Sequence, residues 1–118
     1  YALSAGYYDA FYLKAMKVRT LIINDFKRAF KKVDVLAAPT MPILQPRFKD
    51  IAKLKPVQHY QMDILTVPPN LAGIPMISVP CGYAGALPVG LHLMADHLNE
   101  GKIIEAASAL ENAISIKR

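Results

Sequence analysis

The chain of 118 residues is 53% hydrophobic and 19% charged, the balance of one globular unit, which excludes a disordered or fibrous class. Its net charge of +5 comes entirely from residues 1–33, where Lys14, Lys17, Arg19, Lys27, Arg28, Lys31 and Lys32 are set against Asp9 and Asp25, while the remainder balances at seven against seven. No apolar run reaches the ~20 residues that a bilayer span needs, and the single Cys81 excludes an intrachain disulfide, so a reducing, cytoplasmic setting without membrane contact is expected.

The chain opens on Tyr1 without an initiator Met and runs straight into an aromatic-rich helical pattern, so its start is expected to be a cut inside a longer protein. Tyr8, Phe11, Ala15, Val18, Ile22, Phe26, Ala29 and Val33 recur at three- and four-residue steps, with Lys14, Lys17, Thr20, Asn24, Lys27 and Lys31 opposite. That spacing predicts a long amphipathic helix over 8–33. Its basic face suits either an acidic partner such as tRNA or plain solvation. The apolar run from Val33 to Ala38, ended by Pro39, suits a buried strand, and function often sits just past such strand ends. Residues 39–56 carry Pro39, Pro42, Pro46 and Pro56 among Arg47, Lys49, Lys53 and Lys55 with no sustained period, which predicts a surface excursion.

Residues 57–67 show a weak helical pattern that Pro68-Pro69 should stop, and Asn70 to Gly73 reads as one helical turn closed by glycine. Met76 to Cys81 is strand-like, with Pro80 expected at a strand end or an edge because it lacks an N–H. Val89, Leu91 and Leu93 alternate with Gly90, His92 and Met94, a second strand that a seven-residue link folds back antiparallel. Asn99 is the predicted N-cap of a closing helix, with Glu100 in its first turn and Ile103, Ile104, Ala107, Leu110 and Ile114 along the face that covers the sheet. No repeat or linker divides the chain, so residues 1–118 form at most one domain.

Chemistry-bearing groups are few. His59, His92, His97 and Cys81 are scattered singly, so no metal site is expected. His92 and His97 read as packed or exposed side chains, and Cys81, with no neighbouring base or positive charge, as a small buried hydrophobe. Gly82 and Gly85 lack the rest of a phosphate loop. Asp63 differs: it is the only formally charged residue between Lys55 and Asp96, set among Met62, Ile64 and Leu65. A carboxylate in apolar surroundings needs a partner, from protein or ligand; a solvent-facing aspartate on a helix surface is the alternative, and the residues leave both open.

Three segments together resemble a known family. They are Tyr1 to Ala10 continuing to Lys17-Val18-Arg19-Thr20, then Asp34-Val35-Leu36 to Pro42, then Asn70 to Pro75 leading to Ser78-Val79-Pro80-Cys81-Gly82 and Leu87 to Leu91. The last two are similar to the C-terminal part of amidase-signature enzymes in general. The first resembles the A-subunit branch of the tRNA-dependent amidotransferases, which act on Glu-tRNA(Gln) or Asp-tRNA(Asn). The resemblance implies an α/β fold, a mixed sheet with covering helices, of which residues 1–118 would be a C-terminal fragment. It implies a glutaminase that passes ammonia to a partner subunit, where ATP and magnesium are expected; no cofactor is expected in this chain. It places the Ser–cis-Ser–Lys triad and a glutamine-binding arginine upstream of Tyr1, so no catalytic residue is expected here and the piece alone should be inactive. Asp63 aligns with the family carboxylate that receives the α-ammonium of glutamine. The implied partners are glutamine, the other subunits and, through them, tRNA. The chain departs from the family at Pro69, which usually holds another residue. Two other functions remain: an amidase-signature hydrolase of small amides without tRNA, and a non-enzymatic tRNA- or protein-binding module using the basic helix 8–33.

Overall fold

The computed structural model describes residues 11–114. Within them the order is helix α1 (Leu13–Phe30), strand β1 (Leu36–Pro39), short helices α2 (Phe48–Ile51), α3 (Pro56–Met62) and α4 (Val67–Ala72), strands β2 (Met76–Ala84) and β3 (Leu87–Met94), and helix α5 (Glu100–Ala113). The three strands form one sheet in the order β1-β3-β2, antiparallel throughout. The α/β class is therefore as the resemblance implied. The family segment Tyr1 to Ala10 and the predicted helical position Tyr8 lie outside the described residues.

Antiparallel partners point to the same side of a sheet, and the register sorts the core accordingly. Leu36 lies opposite Met94, and Ala38 opposite His92; Leu36 and Ala38 pack with Ala72, Ile74 and Met94 against Ile22, Ile23, Phe26 and Phe30 of α1. Ile77 lies opposite Leu93 and Val79 opposite Leu91; these pack on the other side with Ala107 and Leu110 of α5. The sheet thus separates an α1–α4 layer from an α5 layer.

Several sequence expectations change form. The helix 8–33 is α1, but only its C-terminal half packs on the sheet. Phe11, Val18 and Leu21 are exposed, because a periodic stripe marks which side is apolar and not how far its cover extends. The strand at 33–38 is an edge strand, alternately half-buried and exposed along Leu36–Pro39, not a buried one. Of the predicted excursion 39–56, residues 41–47 form no helix or strand, and α2 after them is a single turn. Pro68-Pro69 does not stop a helix but opens one. Both prolines sit in the first turn of α4, where their missing N–H groups would have no intrahelical acceptor and their fixed φ already suits the helix.

The closing turn of α4 is as read. Gly73 takes a left-handed conformation, φ 72°, and donates to the carbonyls of Pro69 at 3.0 Å and Asn70 at 3.1 Å, the glycine stop that ends many helices. The hairpin link is two residues, Gly85 and Ala86, not seven, since Ala84 still pairs with Leu87. A bulge makes this possible: Pro80 faces Gly90 and Gly82 faces Val89, so Cys81 is the extra residue beside a proline that cannot donate. Asn99 stands at the N-cap of α5, but its side chain makes no capping bond; its amide reaches back to the His97 carbonyl at 3.4 Å. Ile103 and Ala107 are buried under the sheet as predicted, whereas Ile104 is exposed.

The outline is open. The radius of gyration is 17.4 Å, against about 13 Å for a compact domain of this length. The accessible surface is 8857 Å², against about 6300 Å² for a folded monomer of this mass.

Candidate functional site

Asp63 ends α3, with φ −98° and ψ 4°. Its carbonyl oxygen accepts from the Thr66 N–H at 3.0 Å, the Val67 N–H at 2.9 Å and the Thr66 hydroxyl at 3.2 Å, so the turn 63–66 and the start of α4 form one hydrogen-bonded unit. Its side chain faces solvent. Among the described residues the carboxylate has no hydrogen-bond or ion-pair partner. Apolar neighbours in sequence therefore do not amount to apolar surroundings, and the reading of a solvent-facing aspartate is the one realised within this chain.

The far end of α4 is held by two side chains from other elements. Arg19, on the exposed half of α1, donates its Nε–H to the Leu71 carbonyl at 2.7 Å. His97, just past β3, approaches the Ala72 carbonyl through Nε2 at 3.0 Å; a carbonyl only accepts, so Nε2 carries the proton in this contact. The ring is set by Asp96, whose Oδ1 takes the His97 backbone N–H at 2.9 Å and faces Nδ1 at 3.3 Å. Those contacts, the backbone N–H foremost and then the ring, hold the Asp96 carboxyl below its ordinary range, with a lesser contribution from Lys27.

A second polar group lies around a cavity of about 300 Å³ bordered by Thr40, Met41, Ile43, Leu44, Ser78 and Gly90. Thr40 Oγ1 and Ser78 Oγ stand 2.5 Å apart. A Cβ at Gly90 would fall 2.6 Å from Ser78 Oγ and 2.8 Å from Thr40 Oγ1, so glycine is what lets the two hydroxyls meet over β3. Asp63 does not border this cavity. Across the strand from Ser78 sits His92, 3% exposed, with Nδ1 lacking a partner among the described residues. Burial pushes its imidazole pKa down. His92 is thus packed, as read. Cys81 is half-buried with its thiol toward the Val89 carbonyl at 3.4 Å.

Asp63 is the one residue predicted to bind a ligand, and the geometry adds Arg19 and His97 at the opposite end of the turn-plus-helix unit that Asp63 begins. Neither could be found by spacing: their partners are 52 and 25 positions away. Arg19 is visible in the sequence only as one charge on a basic face and as part of Lys17-Val18-Arg19-Thr20.

The family profile described as Amidase matches residues 1–104. Among relatives, the A-subunit of the glutamyl-tRNA(Gln) amidotransferase of Halothermothrix orenii is 55% identical over 99% of this chain, and that of Synechococcus sp. strain JA-3-3Ab 54% identical over 96%. The crystal structure of the corresponding glutamyl-tRNA(Gln) amidotransferase A-subunit from Thermotoga maritima superposes with a TM-score of 0.87 at 38% identity, covering 99% of this chain. The chain spans about a quarter of these proteins, 24%, 22% and 25% of their lengths respectively.

Proposed function

This chain belongs to the amidase family, and on that footing we propose that it serves as part of the A-subunit of a tRNA-dependent amidotransferase, which hydrolyses glutamine to supply ammonia for amidating Glu-tRNA(Gln) or Asp-tRNA(Asn). The observation that carries this reading is the 55% identity over 99% of the chain to a protein named for that activity. Its reach from end to end matters: segments common to all amidase-signature enzymes would support a small-amide hydrolase equally well. In this reading the nucleophile, its base and the oxyanion donors come from outside residues 1–118, the complex works in the cytoplasm, and ATP and magnesium belong to the partner subunit that handles tRNA. The open outline and large accessible surface are consistent with a unit that completes its packing on other protein.

Within that reading Asp63 receives the α-ammonium of glutamine. The side chain meets the requirements for such a role: it is an unpaired carboxylate on a turn whose backbone is fixed by three donors to one carbonyl, so ligand binding displaces no internal ion pair. A charge-assisted contact of this kind contributes roughly 1.5–3 kcal/mol. Asp63→Asn is accordingly expected to weaken glutamine use about ten- to a hundredfold in the assembled enzyme, while amidation driven by free ammonia stays intact because ammonia bypasses the glutamine pocket. Equal loss of both activities, or unchanged glutamine kinetics, would remove Asp63 from the site.

A further inference from the structure

A helix of six residues has almost no backbone bonds of its own, since the first four N–H and last four C=O groups of any helix lack intrahelical partners. What α4 leans on therefore decides where it sits. Its start is tied to Asp63 through the Thr66 and Val67 amides, and Pro68 and Pro69 stiffen its first turn. Its end is bonded to Arg19 from α1 and to His97 from the β3–α5 connection, at the adjacent carbonyls of Leu71 and Ala72. Gly73 supplies the left-handed turn, φ 72°, that ends the helix there; space is not what requires glycine, since a Cβ would stand 3.8 Å from Arg19 Nη2, an ordinary contact. Ala72 and Pro69 are buried, so α4 moves only if these anchors give way.

We propose that Arg19 and His97 are positioning residues for the glutamine site, gripping α4 from its C-terminal end so that the turn 63–66 presents the Asp63 carboxylate in one place. This rests on the glutamine-site reading of Asp63. The coupling is mechanical and short: Asp63 and Leu71 are the two ends of one turn-plus-helix unit, and displacement of a binding group by about an ångström is enough to lose most of its contribution. The Arg19 guanidinium suits the task because a charge-assisted donor holds a carbonyl more tightly than a neutral one.

The test uses the assembled amidotransferase, with glutamine-dependent and ammonia-dependent amidation measured for each variant. Arg19→Met and His97→Phe are expected to raise KM for glutamine about three- to tenfold while ammonia-dependent turnover holds. Arg19→Lys and His97→Gln, which each keep a donor, should recover at least part of that loss. On an Asp63→Asn background, Arg19→Met should add nothing further, because the group it positions is already gone. Full additivity in that double variant, an unchanged KM, or parallel loss of ammonia-dependent activity overturns the proposal. If Arg19→Met does not fold, His97→Phe alone and combined with Asp63→Asn gives the same comparison. An unchanged KM for Asp63→Asn itself means that the glutamine-site reading has failed; a raised KM for Asp63→Asn with normal values for Arg19→Met and His97→Phe means that only the positioning role has.

Discussion

Replacing Gly90 by alanine tests the hydroxyl pair over β3. The added Cβ would sit 2.6 Å from Ser78 Oγ and 2.8 Å from Thr40 Oγ1, inside contact distance for both, so at least one hydroxyl must rotate away and their 2.5 Å bond is broken. Losing that bond contributes about 0.5–1.5 kcal/mol of destabilisation, and forcing a methyl into the filled space about 1–3 kcal/mol more. Opposing this, alanine restricts the unfolded chain and returns about 0.4–1 kcal/mol. The balance is a net destabilisation of about 0.5–4 kcal/mol, read as a lower urea midpoint with unchanged slope. Ser78→Ala removes the closest oxygen, so Gly90→Ala combined with Ser78→Ala should be less harmful than the sum of the two singles. A Gly90→Ala protein as stable as the parent, or strict additivity with Ser78→Ala, would show that the close approach of Thr40 and Ser78 is not what keeps position 90 bare.

His92 gives a pH prediction. Its folded pKa is depressed by burial while the unfolded value is near 6.5, so on acidification the unfolded chain takes up a proton that the fold resists. Stability is then full above about pH 6.5 and declines as pH falls below it, by at most about 1.4 kcal/mol per pH unit from this group; His92→Gln should flatten the slope between pH 6.5 and 5 in urea titrations, and an unaltered slope would assign it to other groups. Residues 1–118 expressed alone should bind hydrophobic dyes and sediment as oligomers at micromolar concentration, given an accessible surface roughly 2500 Å² above that of a folded monomer of this mass; a monodisperse monomer would contradict that.

Legibility from sequence followed the range of the interaction. The β2–β3 hairpin, the Gly73 stop and α5 were readable because alternation, a left-handed glycine and an apolar face at helical spacing are set by residues close together in the chain. The reading of Pro68-Pro69 failed because a proline pair ends one helix and begins another with the same letters; only the first-turn geometry of α4 separates the two. For Asp63 the sequence left a partnered and a solvent-facing carboxylate both open, and the structure places it exposed. Met62, Ile64 and Leu65 surround it in the chain, but a residue at a helix C-terminus can turn its side chain away from theirs. Arg19 and His97 carry no short-range signature, since each acts on a carbonyl belonging to an element that folds against it from a distance.

The two sides of the sheet are not equally finished. On the α5 side Val79, Leu93 and Ala107 are buried together, a complete helix-on-sheet layer of the kind that stabilises a domain. On the α1 side the register places Met76 and Ser78 of β2 in the same rows as Met94 and His92, yet both are exposed, while Leu13, Met16, Val18 and Leu21 of α1 are exposed as well. The buried Nδ1 of His92 that lacks a partner among the described residues belongs to one of those rows. An exposed apolar stripe and an orphaned polar atom are the two features that further protein packed on this side would remove together, the first by burial and the second by a hydrogen bond. On the reading proposed above, such protein would meet the outward apolar residues in the N-terminal half of α1, and Arg19, placed at the boundary between the packed and exposed halves, would tie α4 to the helix that carries them.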